Sequence, residues 1–251
     1  MNRFLGFILL LGVVCFNELN AQTIIIKQAV PSNLEDGDDD FGPNRKRFNH
    51  SYGGLGFGIN GVSMDNESLS PVKGFNSFSL YSGTRYYRNF NKIFASVVDY
   101  ELSYEQSRLI IDQGDSVQFP VAKADLAKAK YWFVKIGGSL SLQVNFKPKR
   151  GNQLGTYLTF GGYGNWLMFK RFGAKYRTSN SNYTNTARLS LGKLKYLNNF
   201  DYGPEVKFGK TNFALFAKYR MSDYFKSKES IWNFNELPRL TIGIQFFPGN
   251  I

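Results

Sequence analysis

The sequence predicts an all-β fold, an eight-stranded antiparallel up-and-down transmembrane β-barrel with an N-terminal signal peptide. Three observations predict it. Eight stretches alternate large apolar residues with small or charged ones, the links between them alternate short and long, and the chain opens with an export pattern. A strand's side chains alternate between its two faces, so such spacing makes one oily face and one polar face. In 94–104, Phe94, Val98, Tyr100, Leu102 and Tyr104 share one parity, while Asp99, Glu101 and Ser103 share the other.

The opening residues read as a secretory signal. Asn2-Arg3 is a short positive region, Phe4 to Phe16 is an apolar run, and Ala21 offers a small residue before a cut at Gln22. The run is shorter than the ~20 apolar residues a membrane-spanning helix needs. The only cysteine, Cys15, lies within this segment. Lipidation there is the alternative to cleavage, although Val14 stands where a small residue is wanted. After cleavage near Ala21 the chain would carry no thiol and no Cys-ligated metal. Residues 22–50 read as a flexible periplasmic leader, with an acidic run at Glu35-Asp36-Gly37-Asp38-Asp39-Asp40 and a basic Arg45-Lys46-Arg47. The acidic run lacks the ligand spacing of an EF-hand.

The barrel is expected over 51–248, with 249–251 as a tail. Strands are predicted at 52–62, 75–87, 93–104, 131–145, 154–167, 200–208, 212–222 and 238–247. Three brief links (88–92, 146–153, 209–211) then fall at one end and four longer ones (63–74, 105–130, 168–199, 223–237) at the other. Outer-membrane barrels have this asymmetry, with tight periplasmic turns and longer external loops. Pro238 suits a strand's first residue, whereas Pro204 inside the sixth strand implies a bulge or a missing ladder bond. No later run is long enough for a helical span. A mean hydropathy below zero is compatible, because a barrel strand is apolar on one face only.

Alternation alone does not say which face points outward, since a soluble lipocalin-like barrel alternates too. The small residues decide. The face opposite the large hydrophobes carries Gly54, Gly56, Gly83, Gly137, Ser139, Ser141, Gly161, Gly203 and Gly243, as required where eight strands close on a lumen just wide enough for side chains. Leu55, Leu80, Ile136, Leu140, Phe160, Leu215, Ile242 and Ile244 are then expected to face lipid. Aromatics fit both headgroup zones: Tyr52, Tyr86, Tyr87, Phe90 and Phe94 toward the short turns, and Tyr100, Tyr104, Tyr131, Trp132 and Trp166 toward the long loops.

The small-residue face also holds Arg85, Asp99, Glu101, Lys135, Glu205, Lys207, Lys218 and Arg220, five basic and three acidic. Facing mid-bilayer lipid, each Lys or Arg would cost roughly 2–4 kcal/mol. Facing the lumen they can pair. Two readings stand side by side: a salt-bridge plug, or a polar lumen with water between scattered charges.

The residues at this point resemble the small outer-membrane β-barrel domain family, which includes OmpA- and OmpX-like and PorT-like eight-stranded barrels. The resemblance rests on Ala21-Gln22, the opening Tyr52-Gly-Gly-Leu-Gly-Phe-Gly-Ile-Asn60, Asp201-Tyr202-Gly203 and the closing Leu240-Thr-Ile-Gly-Ile-Gln-Phe-Phe247. It covers roughly 50–248. It implies insertion by the barrel assembly machinery, which reads a terminal strand ending in an aromatic, here Phe247 followed by Pro248-Gly-Asn-Ile251. It also raises a role in secretion, for which no diagnostic PorT motif is present. No peptidoglycan-binding domain follows the barrel.

Catalysis is not expected. The only histidine, His50, precedes the first predicted strand on the periplasmic side, where it reads as an interfacial residue, and a Ser-His-Asp site would need a histidine near nucleophile and acid. No metal site and no cofactor is expected. The external loops are the better candidates. Residues 168–199 hold Lys170, Arg171, Lys175, Arg177, Arg188, Lys193 and Lys195 and no acidic residue, a single-sign field that attracts anions. The partners this implies are outer-membrane lipid and lipopolysaccharide, acidic polysaccharide, or the acidic patch of an envelope protein. Nucleic acid is excluded by the compartment, despite a net charge of +12. Two functions follow: an interaction barrel whose basic loops meet an anionic partner or outer-leaflet lipid, as part of an envelope or secretion assembly, and a small passive pore.

Overall fold

The structure, a computed structural model, describes residues 47–60, 62, 72–73, 76–111, 126–147, 154–180, 183–191, 194–226 and 236–248, with the side chains of 177–180 and 183–191 left aside. The expected signal peptide, Cys15, the acidic run and nearly all of the leader lie outside these residues.

The strands are β1 (Arg47–Ile59), β2 (Phe78–Asn89), β3 (Phe94–Leu109), β4 (Leu126–Lys147), β5 (Thr156–Asn180), β6 (Tyr183–Leu191), β7 (Phe200–Lys210), β8 (Phe213–Tyr219) and β9 (Leu240–Phe246). All pairings are antiparallel. Eight strands form a closed ring: β1 to β5 pair in sequence, β5 pairs β7, β7 pairs β8, β8 pairs β9, and β9 returns to β1. Closure leaves no sheet edge within the ring, which is what lets a sheet cross hydrocarbon.

The outward face is apolar. Leu55, Leu80, Ile136, Leu140, Leu142, Phe160, Val206, Phe208, Leu215, Ile242 and Ile244 are all exposed, while Gly56, Ser139, Ser141, Lys207 and Lys218 between them are buried. An exterior so continuously oily would be insoluble in water. It is a lipid-facing wall, and the barrel is a transmembrane one.

Close packing inside explains the glycines. A Cβ on Gly56 would lie 3.0 Å from the Phe216 ring, 3.0 Å from Thr241 and 3.1 Å from Tyr81, and one on Gly243 would lie 2.5 Å from the same ring. Missing side chains on β1 and β9 are therefore the space Phe216 fills.

Several expectations need correction. β1 begins at Arg47 rather than 52, and β3, β4 and β5 run well past their predicted upper ends. Residues 168–199, expected as a loop, are mostly strand. The upper half of β5 continues beyond the ring and pairs with β6, Phe172 opposite Leu191 through Asn180 opposite Tyr183, on the edge that β7 occupies lower down. A bulge at Met168 marks the changeover, where Val134 opposes Phe169 but Lys135 opposes Leu167. The extra residue reverses which parity faces inward. Below it Leu167 points in, and above it Phe172 and Ala174 do. Pro204 causes no bulge and sits opposite Gly162 in an unbroken β5–β7 register. On its other side the β7–β8 ladder starts only at Glu205, so the missing rung is the accommodation.

Of the aromatics expected in the two belts, Tyr52, Tyr87 and Tyr131 are buried inside. Tyr86 and Tyr87 are neighbours on one strand and cannot both face lipid.

Candidate functional site: a filled lumen below a cationic head

The interior is built in tiers. At the short-turn end, Tyr52, Tyr87, Val97, Leu154, Tyr157, Ala214 and Phe247 form an apolar stopper with Phe48 against it. Phe48 and Tyr87 stack at 4.4 Å between centroids. Phe247, expected as the terminal aromatic of the last strand, is fully buried in this stopper. The outward aromatic at that end is Phe246. His50 is likewise not interfacial. It lies within β1, directly opposite Arg85 in the ladder, buried, with its ring against Phe48, Tyr87 and Phe247.

Above the stopper lies the charged tier. The Arg85 guanidinium, 0% exposed, donates to both Asp99 oxygens, from Nε at 2.6 Å and from Nη2 at 2.9 Å, and to Gln245 at 3.0 Å. Its carbon also lies 5.0 Å from the Phe247 ring centroid. Asp99 accepts further bonds from Lys207 and from Ser139, and Lys207 also pairs with Glu205 at 2.7 Å. Lys218 donates to Glu101 at 2.7 Å, and the Tyr52 hydroxyl donates to the other Glu101 oxygen at 3.0 Å. Lys135 donates to Asp201 at 2.7 Å, to Glu105 and to the Tyr224 hydroxyl.

All eight lumen residues read from the sequence are buried, and each of the five cations meets a carboxylate. Four of the participants escaped that reading. Glu105 and Asp201 complete the Lys135 cluster, and Gln245 and Tyr157 flank Arg85. Alternation could have found them, because each has the inward parity of its own strand. Glu105 was lost because its strand was ended at 104, five residues short of Leu109.

The described ends of the connection between β8 and β9, 220–226 and 236–239, pack across the top. Arg220 pairs with Glu236 at 3.0 Å and stacks 3.8 Å over the Tyr224 ring. Glu236 accepts the backbone amides of Tyr224 and Leu237, while Arg239 pairs with Asp223 at 2.6 Å and donates to the carbonyls of Arg220, Met221 and Ser222. Burial pushes the Glu236 carboxyl up, against the pull of Arg220 and those amides. Over this lid Tyr131, Phe133, Leu167, Phe172, Leu194, Leu197, Tyr224, Phe225 and Leu237 form an apolar core beyond the ring. A void between Lys135, Lys218 and Arg220 in the charged tier is about 30 Å³, room for one or two waters. A shallow concavity of about 350 Å³ lies on the outer lip, lined by Asn198, Asn199, Phe200, Tyr202, Met221, Ser222 and Asp223.

The basic residues of 168–199 are spread along the hairpin and the segment after it. Lys170 is part-buried and donates to the Leu197 carbonyl at 3.0 Å and to Asn199 at 2.6 Å. Burial and the nearby Lys226 hold its amine below the usual lysine range. Arg171 and Lys195 are exposed, and Lys175 stands directly opposite Arg188. The side chains of Arg177 and Arg188, and all of Lys193, lie outside the described residues. Among the described residues no group of three or more His, Cys, Asp or Glu could hold a metal.

No protein-family model matches the chain, and no curated protein matches it. Among solved structures it is similar to Ail, the attachment invasion locus protein of Yersinia pestis, solved in complex with the heparin analogue sucrose octasulfate. That similarity has 11% identity and a TM-score of 0.27, covering 79% of this chain and 94% of that one.

Proposed function

We propose that this chain is an integral outer-membrane barrel with a closed interior, working as an interaction protein whose cationic extracellular head docks an anionic partner. One contrast carries the reading. Inside the wall every cation is matched by a carboxylate held within the barrel. Above it, residues 126–132 of β4, the upper part of β5 from Met168, β6 and the segment to Asn199 carry many cations and not one acidic residue in their sequence. Charge matched internally supports the wall, whereas charge of one sign on a protruding hairpin attracts an external counter-charge.

The export pattern and the lipid-facing exterior support the outer membrane as the location. The passive-pore reading is weaker, because the lumen is stoppered by aromatics, bridged by ion pairs and capped by the β8–β9 connection. A catalytic role finds no support in the single histidine, which is packed among aromatic rings.

Reversing Lys175 and Arg177 to glutamate tests the docking reading. Cells displaying the wild-type barrel should bind beads coated with acidic polysaccharide in a salt-sensitive manner, and the double variant should lose most of that binding. Equal binding by both would sink the reading.

A further inference from the structure

Three neighbouring strands change character at the same height on their outer faces. Reading up β4, the outward residues are Val144, Leu142, Leu140, Gly138, Ile136 and Val134, then Trp132, then Lys130 and Lys128. On β3 the outward series runs from Phe94 through Tyr100 and Leu102 to Tyr104, then Gln106, then Arg108. On β5 it runs from Leu158 and Phe160 through Trp166 to Phe169, then Arg171. The ladder ties the three together: Phe94 opposes Val144 and Val144 opposes Leu158 at the bottom, and Tyr104 opposes Val134 and Val134 opposes Phe169 at the top. From Val144 to Val134 is roughly ten rises of about 3.3 Å, which at a strand tilt of about 40° climbs about 25 Å, the height of the apolar band on such barrels. Trp132 then stands at the interface, and the cations stand among the lipid headgroups.

These cations converge on one ring. The Lys130 amine lies 4.2 Å from the Trp132 ring centroid and the Arg171 guanidinium 5.9 Å from it. The indole is oriented by donating from Nε1 to Gln106 at 2.9 Å. Arg108 is directly opposite Lys130, and Arg171 directly opposite Trp132. Like charges directly opposite on one sheet face repel. An anion seated among them would relieve that repulsion. Among the described residues β7, on the far wall, carries no such series and ends upward in Tyr202 and Phe200.

We infer that Arg108, Lys128, Lys130 and Arg171, gathered around Trp132 on the outer wall of β3–β5, form a binding patch for the phosphate-bearing headgroups of lipids that ring the barrel. The inference rests on the reading of the head as an anion-facing surface and adds a lipid ligand below the docking hairpin. Lipid is the occupant because the patch shares its outward columns with hydrocarbon-facing residues. A soluble partner would have to enter the headgroup layer to reach it.

Native mass spectrometry of the full folded chain in detergent tests this, with phosphatidylglycerol and chain-matched phosphatidylcholine as probes. Wild type should retain phosphatidylglycerol selectively. A cation near an anionic lipid surface contributes about fivefold, so Lys130→Gln with Arg171→Gln should weaken retention about thirtyfold while keeping heat-modifiable gel mobility. If the first pair fails to fold, Arg108→Gln with Lys128→Gln should show the same loss. Equal retention of both lipids by wild type, or undiminished selectivity in a folded patch variant, overturns the inference. Should that happen while bead binding still depends on Lys175 and Arg177, the docking reading survives alone. Loss of both results removes both.

Discussion

In the charged tier Asp99 gathers side chains from three other strands, β2, β4 and β7. It accepts from Arg85, Lys207 and Ser139 and is almost wholly buried. Removing one partner of a buried ion pair leaves an uncompensated charge, typically costing about 3–5 kcal/mol. Asp99→Asn should therefore lower barrel stability by about that much, read as a drop in the urea midpoint for unfolding from lipid vesicles. Arg85→Met combined with Asp99→Leu should recover much of the loss, because two apolar residues leave no stranded charge on that side. A double variant no more stable than Asp99→Asn would show that Lys207, still paired with Glu205, is the charge that matters.

Elements are tuned by what is missing as much as by what is present. Gly56 faces Phe216, Thr241 and Tyr81, all side chains rather than backbone. A methyl there should overpack the lumen and cost about 1–3 kcal/mol, and Phe216→Leu should restore most of it. The turn between β7 and β8 is tuned less well. Thr211 has a φ of 55°, the only positive value on a non-glycine residue among those described. A β-branched side chain is strained in this region by roughly 1–2 kcal/mol. Thr211→Gly should raise the temperature at which the folded, fast-migrating gel band disappears. No increase would mean that the added freedom of glycine in the unfolded chain cancels the relief.

For the whole molecule, the tiers together predict electrical silence. A lumen blocked successively by an aromatic stopper, cross-strand ion pairs and the Arg220–Glu236 lid should give no steady conductance in a planar bilayer at neutral pH. Glu236→Ala should release the lid without opening a channel, because Lys135, Asp201 and Glu105 still bridge the bore beneath it. Sustained porin-sized conductance from either protein would overturn the closed-lumen reading. The same tiering divides labour along the axis. The middle holds the barrel together, and the surfaces at and above the upper headgroups carry the cations of the proposed docking and lipid-binding sites.

What the sequence determined by itself was the wall. Alternation is a local property of an extended chain, so Phe94 to Tyr104 declare a lipid face and a lumen face without reference to any other strand, and the eight lumen charges follow from the same parity. Only the tertiary structure decided how those charges pair. Lys218 and Glu101 are 117 residues apart, and Lys207 and Asp99 are 108 apart, brought together by ring closure and register that no single strand encodes. The head was legible only in part. Tyr131-Trp132-Phe133-Val134 is apolar on both parities, a sign that β4 is leaving the lipid-and-lumen regime. The bulge at Met168 and the switch of β5 from β7 to β6 leave no such mark, because they depend on which neighbour is available at each height.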